Sequence, residues 1–581
     1  MKHRLHVLVL AAAACWLGGC TPAQYARQAD VTADATISAG QMIALGARQR
    51  PFEVIYDPLP VTEVATMPGA TQPASAPSGP VRVIRLGEKL IPIGAGQPQK
   101  LTAEDCLQIA FRNSRSFQAR KEQLFTDALA LANSRRDWIA HPSGSLEADA
   151  TRTVVQGQGD TNSANAAAIL SLSRRLRDGG LLSLAAGVNL ASDLLGSRST
   201  AIDSLLTANF TQPLLRGAWR GLAYEPQYRL ERNFVYSVYD YERFTQTFAA
   251  DAVNRYYALV QSRDQIKNQR DNIARLEQTV RTTEVLFKGE VVSRIELDQA
   301  ESNLLDAKVV LEDQTRGYAQ ELDSFKISLG LPVSASIEVD YPGALEAMSE
   351  LGPQEVPVTE SDAIVVAMST RPDVLTQSAQ VRDALRDVEI AADQFNPQLD
   401  VVLGVSVPSQ GPRDFWDARF DRHTRLANAK FQYDLDQTDH RDAYRVSLLA
   451  AASARRNYDE FIDTVQLDVR RAYRQLHQSR VTYELQERNV QIAQRRSRLA
   501  NLQLKEGLAA ARDALEAEES LRTARNSLSG ALVSYYSTRL AFLAKLGMLW
   551  VDEKGLLHER TEPFDFARIQ RQYPQTAPAG Q

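Results

Sequence analysis

The chain has 581 residues, 24% of them charged, with a formal net charge of −5. That balance excludes a nucleic-acid binder, which would carry a basic excess. No stretch after residue 20 is long and apolar enough to span a bilayer as a helix, so any membrane crossing must be made by strands.

Lys2, His3 and Arg4 precede an apolar run from Leu5 to Leu17, broken only by His6, which ends in Leu17-Gly18-Gly19-Cys20. A charged start, a short apolar core and small residues before a break describe a secretory signal over residues 1–19. An ordinary cleaved signal with an incidental cysteine fits the same pattern. Of the three cysteines, Cys15 leaves with the signal, and Cys106 sits on a helix face with Ile109 and Ala110 as a small core residue. No internal disulfide is expected.

Residues 51–98 are rich in proline, with Ala, Ser and Gly between, and the whole of 20–100 reads as an extended tether. A helix is predicted from Leu101-Thr102, with Thr102 and Asp105 as a capping box, to about Ile139 before Pro142. Its counterpart runs from Thr359 to about Phe395, before Pro397. Period-two alternation follows each helix. Leu146, Ala148 and Ala150 alternate with Glu147, Asp149 and Thr151, and Leu206, Ala208 and Phe210 with Thr207, Asn209 and Thr211. In the second half Leu399, Val401, Leu403, Val405 and Val407 share one face, and Ala427, Ala429 and Phe431 oppose Asn428, Lys430 and Gln432. Such strands suit a barrel wall between lipid and water, or a one-sided antiparallel sheet. Two further pieces, near 168–176 and 181–191, flank Asp178-Gly179-Gly180 as a hairpin that either extends the wall or forms an external loop.

Residues 251–330 recur without a gap at 468–547: a shift of 217 carries Asp251, Tyr256, Arg263, Lys288, Glu301 and Gly330 onto Asp468, Tyr473, Arg480, Lys505, Glu518 and Gly547. An ungapped register of that length means one rigid unit used twice. Leu259, Ile266, Ile273, Val280 and Phe287 form a heptad seam, as do Leu297, Leu304, Leu311, Tyr318 and Phe325. Each copy breaks once, at Lys288-Gly289-Glu290 and Lys505-Glu506-Gly507, where a left-handed glycine can end a helix. Each is therefore an antiparallel coiled-coil hairpin. Four principal strands per chain cannot close a barrel, and open edges are not tolerated in lipid. A trimer would supply twelve.

The chain resembles the TolC-like outer-membrane efflux and secretion channel family, lipoprotein branch, over residues 101 to about 550. The resemblance rests on Leu101-Thr102 with Ala110, Thr211-Gln212-Pro213-Leu214-Leu215-Arg216-Gly217, Phe287-Lys288-Gly289-Glu290-Val291-Val292-Ser293, Arg371-Pro372-Asp373 and Ala514-Leu515-Glu516-Ala517. The family's Pro-Leu-Phe-x-Gly-Gly is missing after Tyr433-Asp434-Leu435-Asp436. What the resemblance implies is a mainly α fold with membrane β structure: a homotrimer whose helical hairpins form a periplasmic tunnel continuous with a shared twelve-stranded barrel. It implies an exit duct in the outer membrane, served by an inner-membrane pump through a periplasmic adaptor protein. It also implies acylation of Cys20, the lipid being a covalent anchor and no cofactor being expected.

In that family acidic residues just past the second tip line the constriction; the matching positions are Asp513 and Glu516, which otherwise read as a solvated face. The tips, Gly289, Val291, Val292 and Ser293 with Gly507, Leu508 and Ala509, would receive the adaptor. The organisation expected is a first repeat at 101–332, a linker at 333–358, a second repeat at 359–548 and a tail at 549–581. No catalytic, phosphate-binding or metal motif is present, the histidines being scattered. An exit duct for type I protein secretion, or a periplasmic coiled-coil scaffold lipoprotein, would share much of this pattern.

Overall fold

In the computed structural model, residues 22–45, 52, 61–64, 81–86 and 89–93 are described, together with 97–559 apart from 154–160, 194–199, 354–357, 410–419, 507 and 553–554. The signal region and Cys20 lie outside them. The described chain is a six-stranded sheet at one end of a long helical body. The body is built from two hairpins. The first pairs α5 (Glu225–Lys288), preceded by the short α4 (Arg220–Ala223), with α6 (Arg294–Ser328), and the second pairs α10 (Thr438–Lys505) with α11 (Ala511–Leu546). A shift of 217 carries the end of α5 onto that of α10, and the start of α6 onto that of α11. At 1.5 Å per residue, the 64 residues of α5 extend about 96 Å.

The helices that enter the sheet are each divided in two. The first comprises α2 (Ala103–Asn113) and α3 (Arg115–Arg136), the second α8 (Glu360–Thr370) and α9 (Pro372–Asp393). The capping box at Thr102 forms, the Thr102 amide donating to Asp105 Oδ2 at 2.8 Å. The uninterrupted runs expected to Ile139 and Phe395 break because a repeated glycine is driven against each joint. Gly330 (φ 78°) and Gly547 (φ 73°) are left-handed, and a Cβ would stand 2.0 Å from the Asn113 carbonyl oxygen or 3.2 Å from that of Thr370. The second joint has Pro372 at the start of α9, whereas at the first Ser114 takes an extended conformation with no proline after it.

Three expectations change. The segment 20–100 is not simply a tether. It contains α1 (Pro22–Leu45), which buries Ala33, Ile37 and Ala44 against α3 and α5, and a small sheet of β1 (Val61–Val64), β2 (Val81–Leu86) and β3 (Lys89–Pro92). The linker at 333–358 carries β9 (Ile337–Val339), paired in parallel with β4 (Gln99–Leu101), and α7 (Tyr341–Leu351). The tail folds back as a hairpin of β12 (Leu549–Val551) and β13 (Leu557–Glu559), whose Leu549 and Val551 pack on the helical body.

The large sheet has six strands rather than the four principal ones. They are β5 (His141–Thr153), β6 (Thr161–Arg175), β7 (Leu181–Asp193), β8 (Thr200–Pro213), β10 (Gln398–Pro408) and β11 (Thr424–Gln432), in spatial order β11-β10-β8-β7-β6-β5. The pieces near 168–176 and 181–191 therefore belong to the sheet, inserted between the two strands expected of the first repeat.

Candidate functional site

Both hairpins turn at the end of the body away from the sheet. At the first tip the Gly289 amide donates to the Val285 carbonyl (3.1 Å) and the Val291 amide to that of Leu286 (2.9 Å). At the second, Glu506 donates to Leu502 (3.2 Å) and Leu508 to Gln503 (2.8 Å). A shift of 217 carries one set of bonds onto the other, so the tips close by the same device. The left-handed residue at the first tip is Glu290 (φ 53°), not Gly289 (φ −86°), correcting the expectation from the glycine. Gly507 lies outside the described residues. Val291 and Leu508 project into solvent at 58% and 79% exposure, Ser293 caps α6 by accepting from the Glu296 amide, and Val292 and Ala509 are half-buried beside them. The tips lie together: Leu286 of the first hairpin packs on Leu504, Ala511 and Ala514 of the second.

Asp513 and Glu516 occupy the first turns of α11 and are both exposed. Glu516 accepts a hydrogen bond from Arg496 of α10 at 3.0 Å, with both side chains more than half exposed, so its charge is partly compensated and still solvated. A third carboxylate, one turn further from the tip, was not expected to matter. Glu518 is completely buried. It accepts from Ser497 Oγ and Asn501 Nδ2 of α10, both at 2.7 Å, and is paired with the Arg275 guanidinium of α5. A buried carboxylate is tolerable only when paired and hydrogen-bonded in this way. It ties the first hairpin to the second. One signal was present in the repeat, the match of Glu301 with Glu518, but the two differ in setting: Glu301 is exposed.

At the opposite end, the junction between strands and helices is also held between repeats. The Gly217 amide donates to Asp393 Oδ2 (2.7 Å), Arg216 Nε to the Asn396 carbonyl (2.9 Å), and Arg216 reaches Asp434 (3.4 Å). His440 also meets Asp434, at 3.5 Å, and hydrogen bonds from His440 and Arg216 hold the Asp434 carboxyl below the usual range. The motif missing from the second junction is replaced by Asp436, whose Oδ1 accepts from the Thr438 amide at the start of α10. Trp138, Tyr224 and Tyr228 cluster here with Arg177 over the Tyr224 ring, at the end of the sheet that meets the helices.

Comparison with known proteins agrees with this geometry. Residues 363–548 match the family model of the outer membrane efflux protein. No curated protein sequence matches the chain. Among solved structures it is similar to the CmeC outer membrane channel of Campylobacter jejuni, at 16% identity and a TM-score of 0.57, covering 79% of this chain and 87% of that one. It is similar to the MtrE outer membrane channel of Neisseria gonorrhoeae in its open state, at 14% identity and 0.57, covering 77% and 88%. It is also similar to the outer membrane protein VceC of Vibrio cholerae, at 12% identity and 0.57, covering 77% and 96%. Residues 363–548, nearly all of the second repeat, thus carry the outer membrane efflux protein domain, and the likeness to these solved structures, at 12–16% identity, shows their fold over 77–79% of the chain.

Proposed function

We propose that the chain is the exit channel of a tripartite efflux system. It is a homotrimer, lipid-anchored through Cys20, that passively conducts substrates delivered by an inner-membrane pump through a periplasmic adaptor. The observation that carries the trimer is where the chain leaves apolar residues uncovered. Within one copy, α5 packs on α11 through Asn268 and Asn526, hydrogen-bonded at 3.0 Å, and through Arg275 and Glu518. The 217 shift carries Asn268 and Arg275 onto Leu485 and Ile492 of α10, and Asn526 and Glu518 back onto Val309 and Glu301 of α6, with Leu305 about one turn from Glu301. Leu485, Ile492, Val309 and Leu305 are exposed, at 57–63%, and Glu301 is exposed with them. If hairpins repeat around a ring, α10 of one copy meets α6 of the next as α5 meets α11 within a copy. Ring closure covers both stripes at once, and a heterologous contact that closes is how cyclic oligomers form.

The anchor is supported by α1. A side chain at Gly40 would collide with Phe234, and Phe52 meets Tyr241 edge-on at 6.0 Å. Phe234 and Tyr241 both lie near the start of α5, so α1 and Phe52 pack toward its sheet end, the end at which an acyl chain on Cys20 would enter lipid.

The test is disulfide formation between L485C and V309C in a C106S background. Dimeric and trimeric bands on a denaturing gel are expected, with N268C/N526C giving an intrachain bond only. A monomer in detergent that forms no interchain bond overturns the trimer. For the partners, a photocrosslinker at Val292 or Leu508 in cells should capture a periplasmic adaptor. Capture of a protein-secretion adaptor would redirect the reading to a type I secretion duct, and no capture at either tip would remove the tripartite assembly.

A further inference from the structure

We propose that three copies close an eighteen-stranded barrel, six strands from each, with the β6–β7 hairpin standing in the lipid-facing wall. The proposal rests on the trimeric channel described above and adds to it the make-up of the wall. The inserted hairpin is hydrogen-bonded along both flanks, to β5 from Thr161 to Ser173 and to β8 from Leu181 to Ser192. A flap or external loop would leave one flank free. Its turn is seated at the helical end of the sheet: Gln212 Nε2 donates to the Asp178 carbonyl (3.0 Å), and a Cβ at Gly179 (φ 88°) would stand 2.9 Å from the Gly217 carbonyl oxygen. Both strands therefore run the full height of the wall, at 15 and 13 residues, where about 9–11 suffice to cross a bilayer.

The faces continue through the insertion without a break. One row of paired residues reads Ser143, Ser171, Ala185, Thr207, Ser406 and Thr424 from β5 to β11. The adjacent row, on the other face, reads Pro142, Leu172, Leu184, Ala208, Val405 and Arg425. A one-residue slip anywhere would have exchanged the faces. The row from Pro142, one residue into β5, ends at Arg425, seven residues before the end of β11. Six residues of stagger over five strand steps, at about 3.3 Å rise and about 4.8 Å spacing, is a tilt of about 40°, as in a closed barrel.

Among the described residues the sheet has two edges without a strand partner, β5 and β11. Because neighbours alternate in direction across six strands, these edges run opposite ways, so β11 of one copy can pair antiparallel with β5 of the next. Open edges are not sustained in lipid, and six strands are fewer than the smallest membrane barrel needs. Another copy of the same sheet is the occupant that fits. At that tilt and spacing, eighteen strands enclose a backbone diameter of roughly 36 Å, against roughly 24 Å for twelve. The outer portal is then wide, and limiting the size of what passes falls to the helical tips.

The experiment places single spin labels in the full chain, reconstituted in bilayers, on a C106S background. Labels at L184C and V188C should collide with oxygen, and labels at S183C and N189C with a water-soluble nickel chelate. V405C and S406C on β10 should show the same alternation. Pulsed dipolar distances between copies labelled at S406C should be roughly 31 Å for eighteen strands and roughly 21 Å for twelve, a factor of about 1.5. If β10 alternates while β7 is wet on both faces and the distance is the shorter one, the hairpin lies outside the wall: this inference falls and the channel stands. If neither strand alternates, the channel reading itself falls. Particles with the mass of two copies would also overturn the eighteen-stranded wall.

Discussion

At the levels of Asn268 and Arg275 the contact between the two hairpins inside one copy is polar, with Leu276 on Leu515 and Leu286 on Ala514 packed beside it, whereas most of the counterparts that the repeat sets between copies are apolar. Arg275 faces Glu518 and Asn268 faces Asn526 within the chain. At the equivalent positions stand Ile492 with Glu301 and Leu485 with Val309. One backbone unit is thus used twice with opposite chemistry. The apolar surface can form only when a second copy arrives, and burying it drives assembly without needing directional partners. The polar surface forms as the chain folds, and its fixed bonds set the relation of the two hairpins near the tips. The copies of a duplicated unit have divided the work between them: one joint selects geometry, the other drives association.

The sharpest way to break this contrast is at Glu518. Glu518→Ala leaves Arg275 without its carboxylate, together with Ser497 and Asn501, and should cost about 3 kcal/mol or more per chain. The checks are a lowered melting midpoint of the helical ellipticity and faster proteolysis between the tips. R275L/E518L, which replaces the pair by the chemistry of the other joint, should recover much of the loss. An unchanged melting curve for the alanine variant would show that the joint does not hold the hairpins.

The contrast can also be inverted. Ile492→Arg should face Glu301 of the next copy as Arg275 faces Glu518, whereas Ile492→Glu sets like charges against one another three times around the ring. The arginine variant should keep the trimer. The glutamate variant should dissociate at markedly lower detergent or higher dilution, a difference of about 1–3 kcal/mol per contact. Analytical ultracentrifugation reads it directly. Equal behaviour of the two variants would remove the residue-by-residue correspondence.

Much of this architecture was legible because a rigid repeat preserves register. The ends of α5, α6, α10 and α11 follow from one shift, and each strand's faces follow from alternation. What was not legible depended on partners far away in sequence. The stretch Ala164 to Ala168 is small on both faces, so its alternation alone did not decide between wall and loop; pairing with β5 and β8 does. The helix α1 was concealed by the proline-rich segment after it, although Ala33, Ile37 and Ala44 share a helical stripe. The burial of Glu518 could not be read from its match with Glu301, because it depends on Arg275 in the facing helix, and the repeat has Ile492 in place of that arginine.

A smaller effect concerns the joint that opens the second repeat. Arg371, almost wholly buried, grips Asp373 with two hydrogen bonds, at 2.6 and 3.0 Å. Burial pushes the Asp373 carboxyl up, but the Arg371 clamp and the Arg243 charge outweigh it and hold the group below its ordinary value. Because the folded carboxyl titrates lower than the unfolded one, its contribution is complete above about pH 4 and is lost as pH falls through the folded value. Asp373→Asn should destabilise by about 2 kcal/mol at pH 7 and should flatten the acid limb of stability against pH. Melting curves from pH 3 to pH 7 test both, and a variant with an unaltered acid limb would assign that limb to other carboxylates.

The smallest effect on stability falls where the largest effect on conduction is expected. Just past the tips, Glu296 and Gln299 of the first hairpin correspond to Asp513 and Glu516 of the second, so the second hairpin carries one carboxylate more at these positions. In a trimer Asp513 and Glu516 each make a ring of three carboxylates, which favours cations. Both side chains are exposed, and the Arg496–Glu516 pair is a surface ion pair. D513N/E516Q should therefore change the melting midpoint by no more than about 0.5 kcal/mol equivalent. Reversal potentials in planar bilayers should nevertheless shift toward loss of cation preference. E296Q, at the equivalent place in the first hairpin, should shift them less, because the second hairpin supplies two carboxylates per copy to the first hairpin's one. Selectivity that survives D513N/E516Q unchanged would place the constriction elsewhere in the tunnel, and the difference between the hairpin tips would then concern their partners rather than the permeating ion.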